Sequence, residues 1–131
     1  MLGPDTVQAW LDAYLEAWRT YDRDAIADLF SLGASYAYHP YDEPLQGRAA
    51  IVADWLDERD EPGSWEAAYR PLLIAGDRAV ATGETRYANG KVFSNLFVLS
   101  FDDDGRCLDL VEWYIEQPRA ERRARLPSSD A

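Results

Sequence analysis

Several residue types are scarce in this chain, and each scarcity limits what the protein can be. Its 131 residues include one cysteine and one histidine, which are Cys107 and His39. A lone cysteine rules out an intrachain disulfide and favours a reducing compartment, so we expect a cytoplasmic protein. A lone histidine among scattered carboxylates is a poor match to transition-metal sites, so we expect no metal and no other cofactor.

Long apolar runs and positive charge are scarce as well. No apolar run approaches the ~20 residues that a membrane span needs, and the first residues lack the basic and apolar segments of a signal peptide. The net charge is −11, which repels phosphate backbones and anionic lipid surfaces. We therefore expect neither nucleic acid nor a membrane as a partner. Lys91 is the only lysine beside many arginines, a bias typical of high-GC bacterial genomes.

Aromatic residues, in contrast, are abundant, and the first half of the chain has helical periodicity. Five Trp and eight Tyr are enough to fill a core and also line a ligand pocket. Apolar spacing predicts a helix that starts at Asp5 or Thr6 and a short second helix that starts at Asp22 or Asp24 and ends before Gly33. A third helix is predicted after Gly47.

The period then changes to that of strands. Residues 34–39 predict a strand ended by Pro40, followed by a polar loop over residues 40–46. Four long strands are predicted further on, and Asn-Gly and Asp-Gly turns join them into an antiparallel meander, over residues 64–74, 78–87, 91–101 and 106–116. We predict one α+β domain over residues 1–131, with its core at 5–117 and a basic C-terminal tail at 118–131. Its cone-shaped, curved antiparallel β-sheet packs against three helices from the N-terminal half.

Three stretches resemble the nuclear transport factor 2-like superfamily, and its SnoaL-like branch most closely: AYLEAWRTYDRDAIADLF, PYDEPLQGRAAI and FSNLFVLSFDDDGRCLDLVEWY. The resemblance covers roughly residues 5–117 and implies the cone fold with an interior pocket. It leaves the function open, because the superfamily includes isomerases, cyclases, epoxide hydrolases, dehydratases and domains without catalysis. The function must therefore be argued from the site.

Two enzyme branches can be compared with this chain position by position. In ketosteroid isomerases, Tyr14 falls at the oxyanion-hole tyrosine and His39 at the general base, while Phe97 stands at the second acid and has no proton to give. In enzymes similar to limonene epoxide hydrolase, Glu112 falls at the second catalytic aspartate. The arginine–aspartate pair of those enzymes is reproduced only in part, by Glu84 and Arg86.

Side-chain alternation along the last two strands identifies two polar candidates. Asn95 interrupts an aromatic face, and it is either a structural amide or a group that orients a ligand. Glu112 lies between Leu110 and Tyr114 on one face, where burial would raise the pKa of its carboxyl group. The alternatives for Glu112 are a salt bridge to an arginine such as Arg86 and a solvent-facing edge.

His39 has two interpretations. If it points into the cone, Tyr36 and Tyr38 point outward, unless a bulge at Pro40 reverses the alternation. Alternatively, His39 bonds within loop 41–43 and holds it shut.

We therefore expect a cone that binds a small, largely apolar organic molecule, with cofactor-free acid/base chemistry if it is an enzyme. The proposed catalytic residues are His39 as the base or proton shuttle, Glu112 as its carboxylate partner or as the acid, and Tyr14 as a hydrogen-bond donor. The proposed substrate-binding residues are Trp18, Tyr38, Trp55, Asn95, Phe97 and Tyr114. We also expect a homodimer through the convex sheet face, with Trp113 as an anchor. The alternatives are a non-catalytic ligand-binding domain and an assembly domain whose cone is filled.

Overall fold

The computed structural model of the protein describes residues 2–118, so nearly all of the predicted basic tail lies outside the described residues. The helices are α1 (Pro4–Thr20), α2 (Arg23–Asp28) and α3 (Arg48–Asp57). The strands are β1 (Phe30–Ala37), β2 (Leu45–Gln46), β3 (Trp65–Ala75), β4 (Arg78–Tyr87), β5 (Val92–Phe101) and β6 (Cys107–Glu116). This confirms the α+β class and the three predicted helices.

The helix starts agree with the sequence in two cases out of three. Asp22 caps α2 by accepting a hydrogen bond of 3.0 Å from the backbone N–H of Ala25, and Gly47 precedes α3, both as predicted. The predicted caps of α1 were wrong, because the helix begins at Pro4 with Gly3 as its N-cap. Proline suits the first helical position, since its fixed φ is already helical and its missing N–H would have no partner there.

The sheet is open and mixed, with the order β2-β1-β6-β5-β4-β3. Strands β3 to β6 form the predicted antiparallel meander. Strand β1 adds to β6 in parallel, and the short β2 pairs with β1. The pair β1–β2 was not anticipated within the loop, because two residues carry no periodic signal.

The first strand begins earlier than predicted. It runs from Phe30 rather than residue 34, and it includes Gly33, which was expected to end the preceding helical unit. The register between β1 and β6 shifts between Phe30 and Ser35. This irregularity hides the strand's period of two from a sequence pattern.

The helices cover one face of the sheet, and the aromatic core lies between these two layers. On β5 the predicted alternation holds: Asn95, Phe97 and Leu99 are buried, whereas Leu96 and Val98 are only partly covered. The core fills the end of the sheet near Phe101, where Trp10 and Phe30 meet edge to face. The other end of the same inner face is left for a cavity.

The outer face of the sheet carries apolar side chains as well. Val98, Val111 and Trp113 are half-buried there, and Ile115 is exposed. Within residues 2–118, the structure has no helix long and apolar enough to cross a membrane.

Candidate functional site

The cone encloses a cavity of about 840 Å³ between the helices and the inner face of the sheet. Aromatic rings form more than half of its wall, and most of its other lining residues are ionisable. The lining residues are Tyr14, Trp18, Tyr21, Tyr36, Tyr38, His39, Asp42, Asp54, Trp55, Glu58, Arg59, Asp60, Tyr69, Thr85, Tyr87, Phe93, Asn95, Glu112 and Tyr114.

The buried part of this wall, which we call the floor, consists of Tyr14, Tyr36, Trp55, Tyr69, Thr85, Asn95 and Glu112. Four of these residues form one hydrogen-bonded chain across strands β3 to β6. Tyr69 Oη lies 2.6 Å from Thr85 Oγ1, and Thr85 Oγ1 donates to Asn95 Oδ1 at 2.8 Å. Asn95 Nδ2 then donates to Glu112 Oε2 at 3.0 Å.

The direction of this chain follows from the number of protons that each group carries. A threonine hydroxyl has one proton to give, and Thr85 gives it to Asn95. The contact between Tyr69 and Thr85 must therefore use the tyrosine proton. Every donor points toward Glu112, so the chain fixes the side-chain amide of Asn95 with its N–H group facing the carboxyl group.

The carboxyl group of Glu112 is held away from water. Its side chain is 7% exposed, and burial raises its pKa to about 7, against a smaller lowering from the Asn95 hydrogen bond. Burial disfavours the charged form because the carboxylate loses most of the water molecules that would solvate it. A group with this pKa is present in both protonation states at neutral pH, as a general acid or base must be.

Two floor tyrosines form a second polar feature. Tyr14 Oη on α1 and Tyr36 Oη on β1 are 2.7 Å apart. Burial, and to a smaller extent the charge of Glu112, raises the pKa of both hydroxyls well above the usual value. Both therefore stay protonated at neutral pH. One proton lies between the two oxygens, so the pair has a second one to donate to a ligand.

The outer part of the wall, which we call the rim, consists of Trp18, Tyr38, His39, Asp42, Asp54 and Asp60. Three rings there are hydrogen-bonded to carboxylates. Tyr38 Oη donates to Asp54 Oδ2 at 2.7 Å, and Trp18 Nε1 donates to Asp60 Oδ2 at 2.9 Å. His39 Nδ1 lies 2.8 Å from Asp42 Oδ2. Unlike the floor, the rim is in contact with water, since the His39 and Asp42 side chains are 27% and 37% exposed.

Eight of the nine residues proposed from the sequence line this cavity. The exception is Phe97, which lies in the core beside Glu112 and packs against the rings of Tyr14 and Tyr69. The predicted pairing of His39 with Glu112 is not formed. Within residues 2–118, His39 contacts Asp42 and the ring of Tyr114, and no hydrogen bond joins it to Glu112.

The structure distinguishes between the alternatives for His39, Asn95 and Glu112. The predicted hydrogen bond of His39 within loop 41–43 exists, although the ring also lines the cavity. Asn95 orients Glu112 directly. The salt bridge of Glu112 to Arg86 is absent, because Arg86 points to the outer face and contacts Glu84 at 3.2 Å.

The structure decides the orientation of the β1 tyrosines, which the sequence had left open. Tyr36 and Tyr38 both line the cavity, as the reversed alternation predicts, and Ser35 donates a hydrogen bond of 2.6 Å to Asp109 outside it. The register shift in β1 and the end of the strand at Ala37 set the alternation. Because the strand ends at Ala37, His39 does not follow its alternation and lies at the rim as well.

Sequence reasoning missed several residues of the wall, above all Tyr69, Thr85 and Asp54. Tyr69 and Thr85 alternate inward on β3 and β4, so the alternation analysis used for the last two strands could have found them. Asp54 has no such signal, because an acidic residue on the polar side of a helix is common. Within residues 2–118, no group of three His, Cys, Asp or Glu side chains could hold a metal ion.

Comparison with known proteins agrees with this architecture. The sequence profile of the SnoaL-like domain matches residues 11–110. A search of curated proteins found no match. One similar structure is an NTF-2 like protein of unknown function from Burkholderia xenovorans, with 18% identity, 95% of each chain covered and a TM-score of 0.68.

Two further structures share the fold. A proposed ketosteroid isomerase from Kribbella flavida has 18% identity and a TM-score of 0.67, with 96% of this chain and 93% of that chain covered. An NTF-2 like protein of unknown function from Silicibacter pomeroyi has 23% identity and a TM-score of 0.59, with 85% and 94% covered. The open cone and the profile match over most of the sequence lead to one conclusion: the chain belongs to the SnoaL-like domain family of the NTF2-like superfamily.

Proposed function

We propose that the cavity binds a small organic molecule with a largely apolar body and a carbonyl oxygen, and that Glu112 moves a proton on it without a cofactor. The observation that carries this proposal is the isolated carboxyl group of Glu112, buried on an aromatic floor with its pKa raised by burial to about 7. A purely structural carboxyl group at that depth would be expected to have a cationic partner. Here its only hydrogen-bond partner in the described residues is an amide.

The chemistry follows from the positions of the floor groups. The Glu112 carboxylate would take a proton from a carbon next to the carbonyl group, which leaves an enolate. The Tyr14–Tyr36 pair would donate its free proton as a hydrogen bond to the enolate oxygen. The resulting Glu112 carboxylic acid would return the proton to a conjugated carbon, which completes an isomerisation and regenerates the Glu112 carboxylate.

Glu112, rather than His39, is the base in this proposal. The His39 ring is at the rim and contacts Asp42, Tyr41 and Tyr114. Glu112 shares the floor with the hydroxyl pair that would stabilise the developing charge. The similarity to a proposed ketosteroid isomerase supports an isomerase-type reaction only at the level of the fold.

The test uses uncharged ketones, with cyclohex-3-enone as the first. Conversion to the conjugated enone is followed by ultraviolet absorbance, and deuterium uptake from D₂O is followed by NMR. We expect Glu112→Gln to lower the rate by about 10²–10⁴-fold. The matched control is Glu116→Gln, on the same strand but exposed and outside the cavity wall. The wild-type rate should rise with pH through about 7, where Glu112 ionises.

The second candidate function is a non-catalytic ligand-binding domain. It is favoured by Phe97, which lies directly across from Glu112 in the sheet and leaves that position without a second acid. Ketone binding with no rate above background, or an unchanged rate in Glu112→Gln, would reject proton transfer and favour this alternative.

The cytoplasmic location stays a prediction, and so does the homodimer. Sedimentation of the wild type and of Trp113→Glu is the direct test of the homodimer.

A further inference from the structure

Negatively charged groups outnumber positively charged ones on the cavity wall. Five carboxyl groups line it, from Asp42, Asp54, Glu58, Asp60 and Glu112, and the only guanidinium is that of Arg59. Low-dielectric walls focus the field of such an arrangement into the opening, so that cations are concentrated there and anions are repelled. The net charge of −11 on the whole chain acts in the same direction.

The rim carboxylates also change the rings to which they are bound. Tyr38 and Trp18 each direct their polar hydrogen at a carboxylate, at 2.7 and 2.9 Å. A hydrogen bond to a charged acceptor is a strong one, and it shifts electron density into the donor ring. A more electron-rich ring attracts a cation more strongly across its face. Each carboxylate therefore fixes a ring and adds negative potential beside it.

An independent observation concerns two arginine side chains next to the rim. Within residues 2–118, two guanidinium groups lie over aromatic rings, and each of these rings contacts a rim residue. The Arg59 guanidinium is 5.5 Å from the centroid of Tyr21, a lining residue. The Arg19 guanidinium is 5.6 Å from the centroid of Trp65, whose ring stacks on Trp18 at 3.5 Å.

From this geometry we propose that the ligand is an organic cation, a protonated amine or a quaternary ammonium compound. Its charged group lies at the rim against the ring of Tyr38 and the face of Trp18 opposite Trp65, near Asp54 and Asp60, and its apolar body extends toward the floor. The inference rests on the proposed function, since it names the substrate class of the same cavity. It also gives the rim a role distinct from that of Glu112: the rim selects the ligand and the floor reacts with it.

The test compares two probes of nearly the same shape. One is 5-(trimethylammonio)pentan-2-one, and the other is its uncharged carbon analogue 6,6-dimethylheptan-2-one. Binding to the full chain is measured by NMR titration at constant ionic strength. We expect the cation to bind about tenfold more tightly, the range that desolvated cation–π contacts and nearby carboxylates provide together.

Two single variants assign the preference to the rim. Asp54→Asn should remove most of the preference for the cation, measured as the ratio of the affinities for the two probes. The control is Asp57→Asn, on the same helix but exposed and outside the cavity wall, which should keep the preference. If Asp57→Asn lowers it as much as Asp54→Asn does, only the overall charge matters and the rim site is rejected.

The other outcomes separate this inference from the proposed function. Equal or tighter binding of the uncharged ketone overturns the inference, whereas the cavity remains a binding site and proton transfer by Glu112 is unaffected. Failure of both probes to bind at millimolar concentration also overturns it. The proton-transfer assay uses uncharged ketones and Glu112→Gln, so its result does not depend on the charge preference.

Discussion

Both the floor and the rim of the cavity contain a side chain that donates a hydrogen bond to a carboxyl group, but the surroundings of the two carboxyl groups differ. On the floor, Asn95 donates to Glu112 in a site that is largely shielded from water. At the rim, Tyr38 donates to Asp54, which remains partly exposed. A single hydrogen bond on the floor does not offset burial, and the pKa of Glu112 rises to about 7. The comparison teaches that burial, more than hydrogen bonding, makes one carboxyl group of this cavity suited to proton transfer.

The largest effect is expected where the floor has no spare room. Gly83 on β4 lies opposite Tyr69 on β3, and a Cβ atom at this position would be 1.9 Å from the carbonyl oxygen of Ala68 and 2.7 Å from the Tyr69 ring. Because one obstacle is backbone, Gly83→Ala must displace the strand. We expect it to lower the free energy of unfolding by about 3 kcal/mol or more, measured by urea denaturation.

Gly33→Ala is the matched control for this substitution. Gly33 also lies in a strand, β1, but a Cβ atom there would have open space around it. We expect a change within about 0.5 kcal/mol, as for exposed sites in general. Equal losses in the two variants would mean that the floor is no more tightly packed than the surface, and the contrast between floor and rim would lose its basis.

The next effect concerns the pH dependence of stability. The pKa of Glu112 is raised from 4.5 to about 7 in the fold, so the unfolded chain ionises at lower pH than the folded one. The stability of the wild type therefore falls, relative to Glu112→Gln, as pH rises from 4.5 to 7, and the difference is constant above that. The shift corresponds to roughly 3 kcal/mol at pH 8.

Urea unfolding of both proteins at pH 4.5, 6 and 8 measures this difference. We expect Glu112→Gln to be the more stable protein at pH 8, with little difference at pH 4.5. Glu116→Gln removes a carboxyl group from an exposed position of the same strand and controls for the change in net charge. A Glu112→Gln curve parallel to that of the wild type would show that Glu112 ionises normally, and the proposed base would be lost.

The fold could be predicted from the sequence to a greater extent than the site. Helical spacing in α1 and Asn-Gly or Asp-Gly turns are local signals, and they predicted the helices and the meander. The orientation of the β1 tyrosines depends on a register shift against β6, a strand more than seventy residues further along the chain. No pattern within β1 contains that information, which explains why the sequence left two orientations of Tyr36 and Tyr38 open.

Residues of the cavity wall were predicted where the pattern of a single strand was sufficient, whereas contacts between residues of different strands were not predicted. Glu112 and Asn95 were found because each is a single polar residue on an otherwise apolar strand face. Their contact with each other, and its extension to Thr85 and Tyr69, requires the register across β3 to β6. The pairing of His39 with Glu112 was wrong for the same reason, since neither distance nor depth in the cone can be read from residue types.

The smallest effect comes from one substitution made at two depths of the same cavity. Tyr36→Phe removes a hydroxyl from the floor and leaves the buried Tyr14 hydroxyl without its partner, so we expect a loss of about 1–3 kcal/mol. Tyr38→Phe removes a hydroxyl from the rim, where water can solvate Asp54 instead, so we expect a loss below about 1 kcal/mol. Urea denaturation of the two variants under identical conditions measures both. If the loss in Tyr38→Phe is as large as that in Tyr36→Phe, the rim is as dry as the floor, and Asp54 would then have to be considered as a second proton-transfer group beside Glu112.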